Sequence, residues 1–405
     1  MTESKFDLVV LGASGFTGRL VAEYLYGTYG TDVRWAFAGR NQSKLEQIRA
    51  EICGEDAEQF PVLIADSHDR EALDALVAQT KVVCTTVGPY ARYGSELVAA
   101  CAEAGVHYCD LTGEVQWMRK MIDQHHHQAE ESGARIVHTC GFDSIPSDLG
   151  VYFLQQQMKE KFDCYAQEVK YRVGSTSGGV SGGTVESMMN MMDEAKTDRS
   201  LFDLLADPYS LNPANMPRGK DLNDAMSAEY DRDFKQWTAP FVMAGINTRV
   251  VRRSHALSGY PYGEDFRYSE AMLMGNGPGG FAKASMVSGG TGIMMLAAAF
   301  SPSRSLLRNL APSPGEGPSA EARENGFFNI DLMGINGENR LCLRVTGDRD
   351  PGYGSTAKML AESAVCLAND ELPGNGGVLT PAVAMGDLLV NRLQEKAGVT
   401  FTVQG

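Results

Sequence analysis

An apolar run near the N-terminus that leads directly into three spaced glycines constrains the fold most strongly. Residues 6–11 (FDLVVL) are typical of a buried strand, and residues 20–26 of a helix. Gly12, Gly15 and Gly18 lie between them and suit a tight turn, close approach of a phosphate and close packing of helix on strand. The helix N-terminus presents unpaired N–H groups and the positive end of its dipole. This context predicts a dinucleotide site rather than an ordinary glycine-rich β–α turn.

Within the turn, Ser14 and Thr17 add hydroxyl donors, and Phe16 is expected to lie at the cofactor. The turn therefore contributes both backbone and side-chain groups to the predicted site.

The residues after the second predicted strand, 33–38 (VRWAFA), bear on which dinucleotide is bound. An acidic residue there would bond the ribose 2′-hydroxyl of NAD, whereas an arginine suits the 2′-phosphate of NADP. Arg40 therefore predicts NADP, with Asn41, Ser43 and Lys44 as further contacts. The alternative for Arg40 is a solvated loop cation.

Short apolar strands continue to alternate with helical segments. The further strands are expected at 60–65, 81–87, 106–110 and 135–139. This order predicts a doubly wound parallel sheet, with ligands outside the carboxyl ends of its strands. Thr86, Gly88 and Pro89 should then lie on the nicotinamide side. Asp66 either contacts the adenine edge or caps the helix that begins near Asp69.

Polar side chains cluster where the later strands end, and these supply the catalytic candidates. The candidates are Tyr90 and Tyr108 as donors, Asp110, Glu114 and Asp143 as acids, and Ser144 as a further hydroxyl. A carboxyl in this position acts as an acid if the site raises its pKa. Helix capping is an equally good account of Asp110 and Asp143. No Tyr-x-x-x-Lys pair follows either tyrosine.

The second half of the chain predicts a mixed, partly antiparallel sheet. Strands are expected at 167–173, 266–274, 327–333 and 340–345, and a helix at 185–195. Asn336-Gly337 is a strong hairpin signal between the last two strands. The glycine- and serine-rich loop 174–183 either closes over a ligand or is a flexible turn. We expect a Rossmann domain over residues 1–150 and a second α/β domain over 151–350.

The composition excludes several classes of function. The net charge of −15 argues against nucleic acid. The eight scattered cysteines predict reduced, mostly buried thiols, and the early first strand leaves no room for a signal peptide, so a cytoplasmic location is expected. The apolar run 293–300 is far short of the ~20 residues that span a bilayer. The successive histidines 125–127 cannot share one helix face, so no metal site is expected.

Two apolar features of the second half have two interpretations each. Thirteen of the 19 methionines fall between Met158 and Met295, which suits either core filling, the favoured interpretation, or an acyl groove. The stretch 289–307 is either a buried helix, which we favour, or a peripheral contact with a membrane. Residues 312–318 (PSPGEGP) are expected to form a surface loop.

Several motifs occur together in a fixed order: GASGFTG, AGRN, TTVGPY, HYCDLTGE, GFDSIPSDLG, GGVSGGTVESM, YGEDFRYSE and DPGYGSTAKM. On these motifs, over nearly its whole length, the chain resembles the saccharopine dehydrogenase-like oxidoreductases. Within them it is most similar to the branch that includes the mycobacterial trans-acting enoyl reductases and the animal saccharopine dehydrogenase-like protein.

The resemblance implies an NADP-binding Rossmann domain, a second α/β domain, and C-terminal helices (within 351–405) that return to the first domain. It also implies NADPH-dependent reduction of an enoyl group on a free or carrier-bound acyl chain, and we expect a homodimer. One alternative is amino-acid C–N chemistry, with Arg249, Arg252, Arg253 and Arg267 gathering substrate carboxylates. The other is a non-catalytic, lipid-associated NADP-binding protein.

Overall fold

The computed structural model describes residues 4–177, 182–221, 223–299 and 317–404. Within them, the strands are β1 Phe6–Leu11, β2 Trp35–Gly39, β3 Val62–Ile64, β4 Thr80–Thr85, β5 His107–Cys109, β6 Arg135–Val137, β7 Glu168–Ser177, β8 Glu229–Asp231, β9 Gln236–Ala239, β10 Arg267–Gly275, β11 Phe327–Asn336, β12 Asn339–Gly347, β13 Gly377–Leu379 and β14 Val399–Gln404. The helices are α1 Phe16–Tyr29, α2 Gln42–Cys53, α3 Arg70–Val77, α4 Tyr90–Tyr93, α5 Ser95–Ala104, α6 Val115–Ser132, α7 Ile145–Phe162, α8 Gly182–Thr197, α9 Ser200–Ala206, α10 Ala244–Leu257, α11 Gly277–Ala299, α12 Ala320–Glu324, α13 Gly354–Asn369 and α14 Pro381–Lys396.

The first sheet is parallel throughout, in the order β13-β6-β5-β4-β1-β2-β3. Strand β1 lies inside this sheet, between β4 and β2, which explains why the N-terminal run is apolar at nearly every position. Leu8 and Val10 pack into one apolar cluster, and Val9 and Leu11 pack into another on the opposite face. A strand covered on both faces needs apolar side chains in both directions, so the α/β prediction is confirmed.

The second sheet is mixed, as predicted, in the order β14-β12-β11-β7-β10-β9-β8. β7 and β10 are parallel, and the other neighbours are antiparallel. The β11–β12 hairpin closes with Asn336 opposite Asn339, and Gly337 has a φ of +59°. That left-handed conformation favours glycine, which is why Asn-Gly marks the turn in the sequence.

The C-terminal residues contact both halves of the chain. On α13, the carboxylate of Glu362 is fully buried and accepts hydrogen bonds from the hydroxyls of Tyr24 (2.7 Å) and Tyr29 (2.7 Å) of α1. Strand β13 extends the first sheet beside β6, whereas β14 pairs with β12 of the second. Helix α13 therefore lies against the Rossmann half, while the last strand belongs to the other sheet.

All eight cysteines are free thiols, six of them buried, which confirms the cysteine prediction. The buried-helix interpretation of the stretch from residue 289 is wrong for its described part. On α11, Ile293 is 69% exposed, and Met286, two turns earlier, is 76% exposed. Residues 300–316, with most of the expected loop 312–318, lie outside the described residues. No helix in the described ranges is long and apolar enough to cross a membrane.

Candidate active site

The glycine turn has the geometry of a phosphate cradle. Gly12 has a φ of +91°, a conformation that L side chains rarely adopt. A Cβ on Gly18 would lie 2.1 Å from the carbonyl oxygen of Gly12, so strand and helix approach as closely as glycine alone permits. Gly15 caps α1 without any side-chain hydrogen bond to the helix. The first N–H groups of α1 are therefore not capped by a side chain.

The end of β4 completes this cradle. The Thr86 backbone N–H donates to the carbonyl of Leu11 (3.0 Å), and its hydroxyl donates to the carbonyl of Gly12 (3.4 Å). Gly88 and Pro89 follow after Val87 and lead into α4. The strand order reverses between β1 and β4, and ligands of doubly wound sheets bind at such a point.

A wide cavity of about 730 Å³ lies beside the end of β2, lined by Arg40, Asn41, Gln42, Ser43 and Glu46. The Arg40 side chain is 70% exposed, and its guanidinium is 4.0 Å from the Asp66 carboxylate. An exposed pair at that distance contributes little, so Arg40 is free to reorient toward a phosphate.

The neighbouring polar residues have local roles. The Asn41 side chain caps α2 by accepting from the backbone N–H of Lys44 (3.0 Å). Of the two roles predicted for Asp66, helix capping is wrong, because Asp69 caps α3 and Asp66 instead accepts from the backbone N–H of His68. The sequence could not separate two aspartates so close in the chain.

Asp110 is the centre of a buried hydrogen-bond network at the end of β5. Its carboxylate accepts from the Tyr108 hydroxyl (2.8 Å) and the backbone N–H groups of Thr112 (3.0 Å) and Thr139 (3.1 Å), and contacts Nδ1 of His138 at 2.7 Å. Asp110 and Tyr108 are both fully buried. The hydroxyl of Tyr108, predicted as a candidate donor, is used inside the protein.

Tyr90 is buried in a similar way. Its hydroxyl donates to the carbonyl of Thr85 (3.3 Å) and accepts from the backbone N–H of Leu111 (3.1 Å). Burial and the charge of Asp110 raise its pKa well above 10. Tyr90 therefore ties the ends of β4 and β5 together rather than presenting a hydroxyl to a ligand.

Glu114 joins the first half of the chain to α8. It accepts hydrogen bonds from the backbone N–H groups of Tyr90 (2.7 Å) and Ala91 (3.0 Å), and from the Ser187 hydroxyl on α8 (2.9 Å). Burial raises its pKa above the usual value. With its oxygens occupied, Glu114 positions α4 and α8 beside the strand ends.

Asp143 differs from the other carboxyls because it remains partly accessible in the turn after β6. Burial of the carboxyl, with the nearby charge of Asp110, raises its pKa to about 7. Gly141 packs closely here, since a Cβ there would lie 2.6 Å from the Leu111 side chain and 3.3 Å from an Asp143 carboxylate oxygen. A carboxyl with this pKa is about half protonated at neutral pH and can donate or accept a proton.

Ser144 begins a chain of side-chain hydrogen bonds that could not be predicted from the sequence. Its hydroxyl donates to the side-chain oxygen of Asn247 (3.0 Å), whose amide donates to Glu270 (3.0 Å), which also accepts from the Tyr268 hydroxyl (2.7 Å). Burial raises the pKa of Glu270 to about 8. Because Ser144 is fully buried, it links the two sheets and does not face a crevice.

The arginines suggested as a carboxylate-binding group are used elsewhere. Arg249 pairs with Asp224, and Arg252 pairs with Asp221 (2.5 Å). Arg253 is buried and donates to two backbone carbonyls. The fourth, Arg267, lies exposed on β10. Within the described ranges, no group of three or more His, Cys, Asp or Glu residues is arranged to hold a metal ion.

Comparison with known proteins finds a family model that matches the N-terminal domain and relatives that match nearly the whole chain. Residues 8–137 match the family model described as the saccharopine dehydrogenase NADP binding domain. A putative trans-acting enoyl reductase of Mycobacterium tuberculosis is 43% identical, with 99% of this chain and 98% of that protein covered. A trans-acting enoyl reductase of Mycobacterium ulcerans is 38% identical, covering 97% and 96% of the two chains.

A solved structure extends the similarity of fold to both sheets. The apo saccharopine dehydrogenase (L-Glu forming) of Saccharomyces cerevisiae superposes with a TM-score of 0.53 at 12% identity, covering 98% of this chain and 99% of that one. At that identity the similarity concerns the fold alone.

The domain match establishes NADP as the cofactor. The residues fit it independently of the match. Gly12, Gly15 and Gly18 leave the space that a pyrophosphate needs, and Arg40 lines a cavity at the strand end where the adenosine 2′-phosphate is recognised. The prediction of NADP is confirmed.

Proposed function

The chain belongs to the family of the trans-acting enoyl reductases, and from that premise we propose that it reduces the carbon–carbon double bond of an α,β-unsaturated acyl substrate with NADPH. Similarity over 99% of the chain to a relative of that name carries the proposal. The NADP-binding domain at residues 8–137 supports it, since such a reduction needs a hydride donor.

In this reaction NADPH supplies a hydride to the β-carbon, and the protein must supply a proton and stabilise charge that develops on the acyl oxygen. Asp143 is the proposed proton donor. Asp143 is a partly accessible residue whose carboxyl has a pKa of about 7, whereas Asp110 and Ser144 are fully buried. The backbone around Asp143 is fixed in part by the Phe142 N–H, which donates to the Thr356 hydroxyl (3.0 Å).

Tyr90, Tyr108, Asp110 and Ser144 act, in this proposal, as positioning residues. The Asp110 network holds the ends of β5 and β6 at a fixed separation, because it bonds groups from both. Its charge also contributes to the raised pKa of Asp143. Loss of Asp110 would therefore alter the pH dependence of the reaction as well as the shape of the site.

For the substrate chain, we propose a path along α8. Met188, Met191 and Met192 are half-buried there, and Met189 is buried. Flexible side chains of this kind suit an apolar ligand of variable length. Helix α8 is held near the strand ends by the Glu114–Ser187 bond. Core filling remains the alternative role of these side chains.

For the exposed face of α11, we propose contact with a second copy of the chain in a homodimer. Lys283 is the one charged residue in residues 277–294, and the apolar side chains of Met286 and Ile293 are exposed. A net charge of −15 disfavours an anionic membrane as the partner. A single species of twice the chain mass in light scattering supports this; a monomer that floats with vesicles would instead support peripheral membrane contact.

The direct test is to mix the purified protein with NADPH and a series of α,β-unsaturated thioesters of increasing chain length. We expect loss of the NADPH absorbance with at least one of them. Tight NADPH binding without turnover on any thioester would support the non-catalytic alternative. Turnover with glutamate and a semialdehyde, but not with thioesters, would support C–N chemistry.

A further inference from the structure

Phe16, the first residue of α1, is held by the distant segment that precedes β11. A Cβ on Gly317 would lie 2.2 Å from the Phe16 ring. The Tyr353 ring meets the Phe16 ring edge-on at 5.0 Å. Residues far from the Rossmann domain in sequence therefore lie directly against the glycine turn.

The same segment brings a cation to this turn. The guanidinium carbon of Arg323, on α12, lies 5.2 Å from the centre of the Phe16 ring. Its Nη1 group donates to the carbonyl of Pro318 (2.7 Å). An aromatic face on one side and a carbonyl bond on the other hold the guanidinium in one place.

Most of the Arg323 donors remain available. A guanidinium has five N–H donors, and among the described residues one of them has a partner. No described carboxylate lies within ion-pair distance of it. Burial raises the pKa of Asp350, and Arg323 is near enough to oppose that rise, but the Asp350 oxygens accept the backbone N–H groups of Tyr353 (2.9 Å) and Gly354 (2.9 Å).

The other arginines near the turn are occupied or distant from it. Arg19 of α1 pairs with Glu23 (2.8 Å) and Glu51 (2.6 Å). Arg40 lines the cavity at the end of β2. The pyrophosphate of NADP carries two negative charges, and backbone N–H groups and a helix dipole neutralise them only in part.

We propose that Arg323 binds the cofactor pyrophosphate, so that the second half of the chain completes the NADP site. A planar guanidinium with free donors suits phosphate oxygens. The proposal concerns the cofactor alone and holds whatever the substrate is. The two arginines then have different ligands, because Arg323 binds a group common to NADP and NAD, whereas Arg40 binds the 2′-phosphate that only NADP carries.

The experiment is calorimetric titration of the apo protein with NADP⁺ and with adenosine 2′-monophosphate, which lacks the pyrophosphate. Arg323→Met keeps the apolar stem over Phe16 but removes the charge. We expect its Kd for NADP⁺ to rise about 10- to 100-fold, the usual effect of losing a charged hydrogen bond, with no change for the monophosphate. Arg40→Met should raise the Kd for both ligands.

Controls separate charge from folding. Arg323→Lys keeps the charge and should lose less affinity than the Met variant, whereas Arg267→Met removes an exposed cation elsewhere and should bind NADP⁺ normally. If Arg323→Met does not fold, Arg323→Gln replaces it, since its amide can still donate to Pro318, and the same loss is expected. The proposal would be overturned if the charge-neutral Arg323 variant bound NADP⁺ with unchanged affinity, or if its affinities for NADP⁺ and for the monophosphate fell equally.

Discussion

Asp143→Asn tests the proposed proton donor, because it keeps the shape of the side chain and removes its acid–base function. The carboxyl lies in the turn after β6, where burial raises its pKa to about 7. A raised pKa keeps the carboxyl protonated below about pH 7 and ionised above it. If it donates the proton, the rate should be constant on the acid side and fall as pH rises.

The magnitude follows from that pKa. Each pH unit above 7 lowers the protonated fraction about tenfold, so kcat at about pH 9 should be roughly 100-fold below its acid plateau. The Asn variant cannot donate a proton by ionisation. It should lose about 10²- to 10⁴-fold in kcat, the usual contribution of a general acid, and its remaining rate should not show the break near pH 7.

The assay is NADPH oxidation with a saturating unsaturated thioester across that pH range, with the Kd for NADPH measured in parallel. Asp331→Asn is the matched control, because Asp331 is paired with Arg344 on the second sheet (2.7 Å). That variant should retain the wild-type rate and profile. An Asp143→Asn enzyme with unchanged kcat, or with the same break near pH 7, would refute the assignment.

Three further substitutions test the cofactor cradle, the buried chain of side-chain hydrogen bonds and the apolar helix. Gly18→Ala should abolish NADPH binding in calorimetry while the protein remains folded by circular dichroism, because its Cβ would lie 2.1 Å from the Gly12 carbonyl; normal affinity would contradict the cradle. Glu270→Gln should remove a pH dependence of stability: a folded pKa of about 8, against a usual 4.5, means that the free energy of unfolding of the wild type falls by about 1 kcal/mol per pH unit as pH rises between those values. Melting temperatures of the two proteins should therefore differ increasingly in favour of the variant as pH rises toward 8, and a constant difference would count against it. Paired Met286→Ser and Ile293→Ser changes should convert the proposed dimer to a monomer in light scattering, with unaltered melting temperature; a dimer that persists would show that this face is not the interface.

Local signals in the sequence predicted the elements that their own residues determine. Strand β1 has the expected bounds, and the Asn336-Gly337 hairpin forms as predicted. The three-residue strand β13 and the last strand β14 were missed. Both are defined by partners more than fifty residues away in the chain, β6 for β13 and β12 for β14. The residues of β14 (VTFTVQ) do alternate between apolar and polar side chains, but nothing within either segment indicates its partner strand.

In the candidate site, too, features set by local residues could be predicted and features set by remote partners could not. The glycines and Arg40 lie in two short motifs, each with a local geometry, so the cofactor could be predicted. The positions of the strand ends were also predictable, but the directions in which the side chains at those ends point were not. Tyr108 and Asp110 face an internal network because Thr139, from the next strand end, supplies a third partner. Arg253 looked like a substrate ligand, yet its partners Leu211 and Val378 are remote in sequence.

Transfer of label from NADPH to product tests directly whether the protein is an enoyl reductase. Deuterium is placed on the nicotinamide carbon that donates the hydride, an α,β-unsaturated thioester is the acceptor, and the product is analysed by mass spectrometry. We expect a saturated thioester with one deuterium at its β-carbon, formed by the wild type and not by Gly18→Ala. An unsaturated substrate recovered without label, while NADPH binds tightly, would contradict it.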